Sequence, residues 1–507
     1  MAYDIDRRLV LRLLAASAFS DLAVADVIGA EEQILELDST GLIARIRDGS
    51  LRAEQVCSTF LRQYERQRSL NVVTWIDQAK VLSCARDVDR ARDRGDRLPP
   101  LAGLPILVKD NIDTVGFPTS AGTAFLRRNF PRRNAEVVER LLQQGAIVMG
   151  KANMDELASW ITSSNPTFGF VRNPYNPELI PGGSSGGSAA AIAARIVPAA
   201  LGTDTGGSVR VPSAFCGVVG FRPSIYPRRL YSAEGVLPHT PDLDTIGPMG
   251  RSVADVAMLH AAIVGQLTVH PRPLETARIG VPRLPYWGDL APEVETVARA
   301  ALTSLRDRGA TLVEVDLREV DEAVSKIPVE PFVDELEKIR RTQIPSVSLH
   351  ELTEQITNCS LRAELKKFEL GLEAGRDATL VTNGVAHRDA VRAAYCAVFR
   401  RHDIQAIVMP TVVLPPPKIG VACDEEKLIE LNGRMVPEWI VLRNTITEPK
   451  LGLPSLSLPA GLDKNGLPVG LEFDGLPGDD SALLALGMAA EAAIGRVPPP
   501  RHTLSRI

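Results

Sequence analysis

Short, wholly apolar runs alternate along the chain with longer segments in which apolar residues recur every three or four positions. The runs at 104–108 and 147–149 are rich in branched residues and predict strands that are buried on both faces. Similar runs recur at 279–281, 312–315, 406–409, 456–459 and 469–473. Segments whose apolar residues recur at helical spacing lie between such runs, as at 135–144 and 294–308. This alternation indicates an α/β protein whose sheet is covered by helices.

Two loops of small residues interrupt the pattern. Residues 173–187 are dense in Pro, Asn, Gly and Ser, and they precede a predicted helix at 188–195. A second loop is predicted from Gly202 to Ser208. Consecutive glycines before a serine allow several backbone N–H groups to point at one spot, which is what an oxyanion requires. The first loop lacks the lysine of a phosphate-binding loop, and no strand precedes it as in a dinucleotide-binding loop.

Two further observations bear on chemistry. Gly183–Gly187 matches the G-x-S-x-G pattern with Ser185 at its centre, but residues 176–181 before it do not form a buried strand. A glycine-rich helix start without chemistry is the alternative interpretation of this loop. Lys109 ends the apolar run at 104–108 and is either an exposed lysine at the end of a strand or a buried base. Burial would favour the base, because desolvation lowers the pKa of a lysine.

Composition narrows the class of function. The chain has 507 residues, with 62 acidic and 57 basic side chains and a net charge of −5, so no generic affinity for nucleic acid is expected. No apolar run reaches the roughly 18 residues of a membrane-spanning helix. The six cysteines are scattered without a CxxC pair, which argues against a zinc or iron–sulfur site and favours buried free thiols. A soluble globular enzyme or a large binding protein is therefore expected.

The N-terminus permits two interpretations. Arg7-Arg8 followed by the apolar run from Leu13 to Phe19 resembles a twin-arginine export signal, and Ala23–Ala25 would supply a cleavage site. Asp21 interrupts the run, however, and the same residues fit an amphipathic first helix. We expect a cytoplasmic protein, with twin-arginine export to the periplasm as the alternative.

Lys109 and the two loops together resemble the amidase signature family of serine hydrolases. The matching stretches are GLPILVKDNIDTVGFPTSAGT, GKANMDELA and PGGSSGGSAAAIAARIVPAALGTDTGGSVRVPSAFCGVVGFRPS. The similarity is strong from about Leu101 to Val264, is only general over 265–440, and resumes in LPSLSLPAGLDKNGLPVGLEFDG. The long stretch is specific, because both serines and the flanking glycines fit the family pattern.

The resemblance implies a single α/β/α domain with a large mixed twisted β-sheet covered by helices on both faces. Residues 1–30 would be an N-terminal segment and 31–507 the amidase domain, with 318–450 as a helical insertion that shapes the substrate pocket. No metal or organic cofactor is implied. The implied partner is a small amide substrate, with neither nucleic acid nor membrane, and a homodimer is compatible with the sequence.

The resemblance also implies roles for individual residues. Lys109 would be the deprotonated base, Ser184 the serine that relays the proton, and Ser208 the nucleophile that forms an acyl-enzyme. The peptide bond Gly183–Ser184 would be cis, and none of the seven histidines would transfer protons. Backbone N–H groups of four residues would form the oxyanion hole: Thr205, Gly206, Gly207 and Ser208. Ser185 and Asp204 would brace the two loops. Trp160 lies where the chain departs from the family pattern, and it would either line the substrate pocket or fill the core.

Within the family, SAEGVLPHTPDLDTIGPMGRSVAD and the late stretch most resemble the indoleacetamide and mandelamide hydrolase branch. This resemblance predicts an amidase that converts a small arylalkyl amide to a carboxylic acid and ammonia or an amine. The chain departs from the branch at Ser159–Ile161 and at Ile446–Lys450, where the pocket would change. The alternatives are an aryl-acylamide, carbamate or ester hydrolase, the A subunit of a tRNA-dependent amidotransferase, and, from another class, a non-catalytic scaffold that keeps the fold.

Overall fold

The computed structural model describes residue 29 and residues 31–266, 269–328, 332–345, 347–370, 378–420 and 428–501. The possible export signal from Arg7 to Ala25 lies outside this part of the chain. The strands are β1 (Val73–Ile76), β2 (Pro105–Lys109), β3 (Ile147–Ala152), β4 (Ala199–Asp204), β5 (Val219–Arg222), β6 (Thr245–Gly250), β7 (Arg278–Pro282), β8 (Thr311–Val315), β9 (Ala406–Pro410), β10 (Leu428–Leu431), β11 (Arg434–Pro437), β12 (Ser455–Leu462) and β13 (Pro468–Asp474). The helices are α1 (Ser39–Asp48), α2 (Ala53–Arg66), α3 (Gln78–Asp93), α4 (Glu136–Gln143), α5 (Gly186–Ala193), α6 (Arg210–Cys216), α7 (Val253–Val264), α8 (Pro292–Asp307), α9 (Arg318–Ser325), α10 (Phe332–Gln343), α11 (Leu349–Gln355), α12 (Cys359–Glu369), α13 (Ala378–His402), α14 (Thr447–Leu451) and α15 (Asp480–Ile494).

One large sheet runs through the described residues. Its eleven strands lie in the order β1-β3-β2-β4-β6-β5-β12-β13-β9-β7-β8, and β10 with β11 forms a separate hairpin. The sheet is mixed, because β3, β2 and β4 are parallel neighbours, as are β9, β7 and β8, whereas the central strands pair antiparallel. The predicted mixed sheet covered by helices is confirmed.

Both faces of the sheet are apolar at the strands that lead to the site. Along β2, Ile106 and Val108 belong to one buried cluster, whereas Leu107 between them belongs to another. β4 shows the same alternation, with Leu201 in the first cluster and Ala200 in the second. Since successive side chains of a strand point to opposite faces, helices must pack on each side, and this explains why the sequence runs are wholly apolar.

The apolar runs predicted as strands all form strands of the sheet. The predicted loop from Gly202 to Ser208 is wrong in its first part, because β4 continues through Asp204 and pairs with β6 as far as Thr245. Small polar residues can end a strand when a neighbouring strand supplies the ladder partners, and such long-range pairing is not visible in local composition.

The region 318–450 combines several kinds of structure. It contains helices α9 to α13, and also β9, which lies between β13 and β7 in the main sheet. The hairpin of β10 and β11 follows. The boundaries drawn from the sequence therefore enclose one strand of the central sheet.

The cysteines only partly fit the expectation of free thiols. Cys57, Cys84, Cys216 and Cys396 are free, but Cys359 is disulfide-bonded. Scattered spacing in the sequence did not indicate this bond. Among the helices of the described residues, none combines the length and apolar character needed to cross a membrane.

Candidate active site

The carboxyl ends of β2 and β4 bring the first site residues together. The two strands are parallel neighbours, with Val108 opposite Leu201, so their ends lie at the same edge of the sheet. Lys109 is the last residue of β2, and Thr203 is the penultimate residue of β4. The Lys109 Nζ atom lies 2.7 Å from Thr203 Oγ1 and 3.4 Å from the Thr203 carbonyl oxygen. Two strand ends thus fix the amine.

Ser184 lies on the other side of the same amine. Its Oγ atom is 2.7 Å from Lys109 Nζ, and both side chains are fully buried. The peptide bond between Gly183 and Ser184 is cis, as the family resemblance implied. Gly183 has no room for a side chain, because a Cβ atom there would lie 2.1 Å from a carboxylate oxygen of Asp155.

Burial sets the protonation of Lys109. It lowers the pKa of this lysine to about 7, although the carboxylates of Asp155, Asp204 and Asp244 favour the charged form. A neutral amine can accept the hydroxyl proton of Ser184 while its own N–H groups donate to Thr203. The buried interpretation of Lys109 therefore fits better than an exposed lysine at the end of a strand.

Ser208 follows β4 and precedes α6. It is 8% exposed and lines a cavity of about 330 Å³, whereas Lys109 and Ser184 have no exposed surface. The Ser208 carbonyl oxygen accepts a hydrogen bond of 3.1 Å from the backbone N–H of Ser185. This bond joins the two small-residue loops next to the site. Of Lys109, Ser184 and Ser208, it is Ser208 that lines the cavity.

Ser185 holds the first loop against β4. Its hydroxyl donates to the Thr203 carbonyl oxygen at 3.1 Å and accepts from the Thr203 N–H at 3.2 Å. Gly202 must be glycine here, since a Cβ atom would lie 2.7 Å from Ser185 Oγ. Ser185 is thus not the exposed serine of a nucleophile elbow.

Asp204 organises the second loop. Its carboxylate accepts hydrogen bonds from the backbone N–H groups of Gly207 and Val209, each at 3.1 Å. Arg210 and Arg222 contact the same carboxylate. Burial alone would raise the pKa of Asp204, but the two guanidinium groups hold it well below its usual range. The loop therefore closes around a permanent negative charge.

One of the four implied oxyanion-hole donors already has an acceptor. The N–H of Gly207 donates to a carboxylate oxygen of Asp204 at 3.1 Å. In the described part of the chain, no acceptor pairs with the N–H groups of Thr205, Gly206 and Ser208. Thr445 supports the turn by donating from Oγ1 to the Gly206 carbonyl oxygen at 2.7 Å. A side chain at Gly207, where φ is +122°, would collide with this Thr445 hydroxyl.

Arg210 connects the loop to the sheet through buried ion pairs that the sequence analysis missed. Its guanidinium lies 2.8 Å from Glu448 and 2.5 Å from Glu472, in addition to Asp204. The sequence did carry a signal for these ion pairs, since two arginines lie in the otherwise small and apolar stretch SVRVPSAFCGVVGFR. A charge buried in such a stretch requires a partner. Oxygen atoms of Glu448, Glu472 and Asp474 lie within 4.8 Å of one another, a spacing that could hold a metal ion. Arg210 already supplies positive charge at this cluster.

The cavity beside Ser208 is mainly apolar, and we call it the outer cavity. Its apolar lining comprises Ala158, Trp160, Ile161, Leu243, Phe332, Leu361, Leu442 and Ile446. Polar lining comes from Ser159, Thr205, Gly206, Ser208, His239, Thr240, Glu364 and Lys450. The Trp160 indole N–H donates to the carboxylate of Glu438, which orients the ring. Trp160, chosen from the sequence as a pocket residue, does line the cavity, and so do Phe332 and Ile446 from the region 318–450.

Comparison with known proteins decides the family. A family model described as Amidase matches residues 55–484. The chain belongs to the amidase family. It is 36% identical to an indoleacetamide hydrolase of Agrobacterium vitis over 460 residues, which are 89% of this chain and 96% of that protein. It is 35% identical to a mandelamide hydrolase of Pseudomonas putida over 491 residues, which are 93% of this chain and 94% of that protein.

Solved structures agree with the sequence relatives. A crystal structure described as an amidase matches with a TM-score of 0.78 at 31% identity, covering 90% of this chain and 100% of that one. This amidase is therefore a hydrolase that acts on amide C–N bonds, and the non-catalytic scaffold loses its support.

Proposed function

We propose that this amidase hydrolyses small arylalkyl amides to carboxylic acids through an acyl-enzyme on Ser208, with Lys109 and Ser184 as the proton path. The observation that carries the proposal is the buried 2.7 Å contact between Lys109 Nζ and Ser184 Oγ. Ser208, which lines the outer cavity, is joined to the Ser184 loop by the hydrogen bond from the Ser185 N–H to its carbonyl oxygen. Names of the relatives support the substrate class, since indoleacetamide and mandelamide are both arylalkyl amides.

The proposed first step forms the acyl-enzyme. Ser208 Oγ attacks the carbonyl carbon, its proton passes to Ser184, and the Ser184 proton passes to the neutral amine of Lys109. The negative oxygen of the tetrahedral intermediate accepts hydrogen bonds from the N–H groups of Thr205, Gly206 and Ser208. Such donors are each worth about 2.7–4 kcal/mol to the transition state. The C–N bond then breaks, and the nitrogen leaves with the proton returned through Ser184.

The second step releases the acid. A water molecule attacks the acyl carbon, gives its proton to the same Ser184–Lys109 path, and the bond to Ser208 Oγ breaks as that oxygen regains a proton. Asp204 and Ser185 act as positioning residues in this proposal, because their bonds keep the two loops in place. Neither residue contacts the reacting atoms.

The outer cavity supports an aromatic acyl group. Trp160 and Phe332 both line it, and flat aromatic groups gain about 0.5–1.5 kcal/mol from ring contacts beyond the area they bury. A volume of about 330 Å³ lies at the small end of the range for ligand pockets. The cavity therefore favours a compact acid such as an arylacetic acid over an extended chain.

A substrate panel tests the proposal. Purified protein alone is given an arylacetamide, the anilide, carbamate and ester of comparable size, and glutamine, with ammonia or product release as the readout. We expect turnover of the arylacetamide by the wild type and loss of turnover in Ser208→Ala. If glutamine is the one substrate turned over, and only when partner subunits are added, an amidotransferase subunit is supported instead. Preference for the anilide or ester would support the other hydrolase alternatives.

A further inference from the structure

A second, smaller cavity lies next to the outer cavity, and we call it the inner cavity. It has a volume of about 50 Å³, and Ala158, Thr205 and His239 line both cavities. Asn111 and Thr203 line only the inner one. A water molecule occupies about 30 Å³ in the liquid, so the inner cavity holds one or two molecules of that size. Ammonia is about as large as water.

Asn111 carries an unsatisfied acceptor at this cavity. Its side chain is buried, and its Nδ2 atom donates to Thr203 Oγ1 at 3.2 Å. Its Oδ1 atom has no hydrogen-bond partner within the described residues. A buried acceptor left unpaired costs about 1–3 kcal/mol, so the position calls for a bound donor such as an N–H group.

The inner cavity also lies close to the proton path. Thr203 Oγ1 contacts both Lys109 Nζ, at 2.7 Å, and Asn111 Nδ2. Only two hydrogen bonds therefore separate the Asn111 side chain from the proposed base. A departing nitrogen must lie near this path, because it takes its proton from Lys109 through Ser184.

His239 forms a fixed wall between the two cavities. Its ring stacks on Phe332 with a centroid distance of 4.3 Å and an interplanar angle of 5°. Its backbone N–H donates to Asp244 at 2.7 Å, and its Nδ1 atom lies 3.0 Å from Thr240 Oγ1. Burial lowers the pKa of the imidazole, which keeps it neutral at pH 7. Stacking and hydrogen bonds on both sides hold the ring in place.

We propose that the inner cavity is the leaving-group subsite. Asn111 Oδ1 accepts a hydrogen bond from the N–H of the departing nitrogen, and His239 limits the leaving group to the size of ammonia. When the tetrahedral intermediate collapses, the C–N bond breaks, the carbonyl re-forms, and the nitrogen gains the proton that Ser184 returns. The inference rests on the proposed function and adds to it that the substrates are primary amides whose acyl group occupies the outer cavity.

The first experiment compares a primary arylacetamide with the methyl ester of the same acid. The value of kcat/KM reports acylation for both substrates, and only the amide offers N–H groups to Asn111. In Asn111→Ala we expect the amide-to-ester ratio of kcat/KM to fall about tenfold, as for the loss of one hydrogen bond. In the control Thr203→Ser, which keeps the hydroxyl that contacts both Lys109 and Asn111, we expect any change to affect both substrates alike and the ratio to hold.

The second experiment varies the size of the leaving group while the acyl group stays constant. Wild type is expected to cleave the primary amide at least about 100-fold better than the N-butyl amide, and His239→Ala is expected to narrow this gap by about tenfold or more. Leu442→Ala is the control, because Leu442 lines the outer cavity but not the inner one, and we expect it to leave this gap unchanged.

The outcomes separate the two proposals. If no amide is hydrolysed by the wild type, the proposed function fails. If the amide is hydrolysed but Asn111→Ala slows amide and ester equally, Asn111 acts only through Thr203 and the subsite is refuted. Equal cleavage of the primary and N-butyl amides by the wild type would also refute it.

Discussion

The Lys109 amine and the Ser184 hydroxyl lie 2.7 Å apart, although 75 residues separate them in the chain. Thr203 holds the same amine from β4, so three separate segments meet at one nitrogen atom. An amine held in this way cannot turn toward solvent to recover hydration. Its position and its lowered pKa are therefore consequences of the same burial.

Removal of the proposed nucleophile or base should abolish hydrolysis. For Ser208→Ala and Lys109→Ala we expect kcat for an arylacetamide to fall by a factor on the order of 10⁴–10⁶, as when nucleophile or base is lost in a serine hydrolase. The double variant should lose little more, since the residues act as a unit. The control is His260→Ala, a buried histidine that contacts Tyr231 outside the site. Near-wild-type turnover in Ser208→Ala, or loss of turnover only in the histidine variant, would contradict the mechanism.

The pH dependence should follow Lys109. The amine is active only when neutral, so kcat/KM should rise with pH through about 7 and fall about tenfold per unit below it. In Asp155→Asn a negative charge that favours the ammonium form is removed, so the midpoint should move to lower pH. A pH–rate profile of both proteins measures this. A wild-type midpoint above pH 9 would mean that Lys109 is not the titrating base.

Arg210 should be essential for stability. Its replacement by Met leaves Asp204, Glu448 and Glu472 without their common cation inside the protein. Breaking a buried ion pair in this way costs about 3–5 kcal/mol of the free energy of unfolding. Urea denaturation measures the loss, and Lys326→Ala, which removes an exposed pair with Glu322, should cost less than about 0.5 kcal/mol. Equal stability of the two variants would show that the buried carboxyl groups are not charged.

Trp160 should select aromatic acyl groups. Trp160→Ala is expected to raise KM for an arylacetamide by about tenfold, because the substrate ring loses its contact with the indole. A short aliphatic amide makes no such ring contact, so its KM should stay within about threefold of the wild-type value. Trp439→Ala is the matched control, because that indole is exposed and does not line the outer cavity. Steady-state kinetics with the two substrates decide the point. Parallel changes for both substrates would place the acyl group elsewhere.

Much of the fold could be predicted from local pattern. The apolar runs of β2, β3, β9, β12 and β13 are recognisable because a strand buried on both faces needs apolar residues at consecutive positions. β7 and β8 were also predicted, although β8 lies at the edge of the sheet and is partly exposed. β1, β5 and β6 were missed, and the end of β4 from Gly202 to Asp204 was predicted as a loop. β4, β5 and β6 contain glycine and polar residues, and β1 has only the four residues VTWI. Pairing with neighbours that are distant in the chain decides such strands, and propensity does not record it.

The candidate site was likewise predictable only in part from the sequence. The order of lysine and serines in their glycine-rich loops is a property of the sequence, and it pointed to the amidase family before any contact was known. Only the tertiary structure decided that Lys109 is buried against Thr203, that Gly207 donates to Asp204, and that Arg210 binds three carboxylates. It alone placed Asn111 and His239 beside the proposed proton path. The physical reason is that desolvation and hydrogen bonding depend on which distant segments enclose a group, whereas the chemical type of a residue and its neighbours along the chain are already written in the sequence.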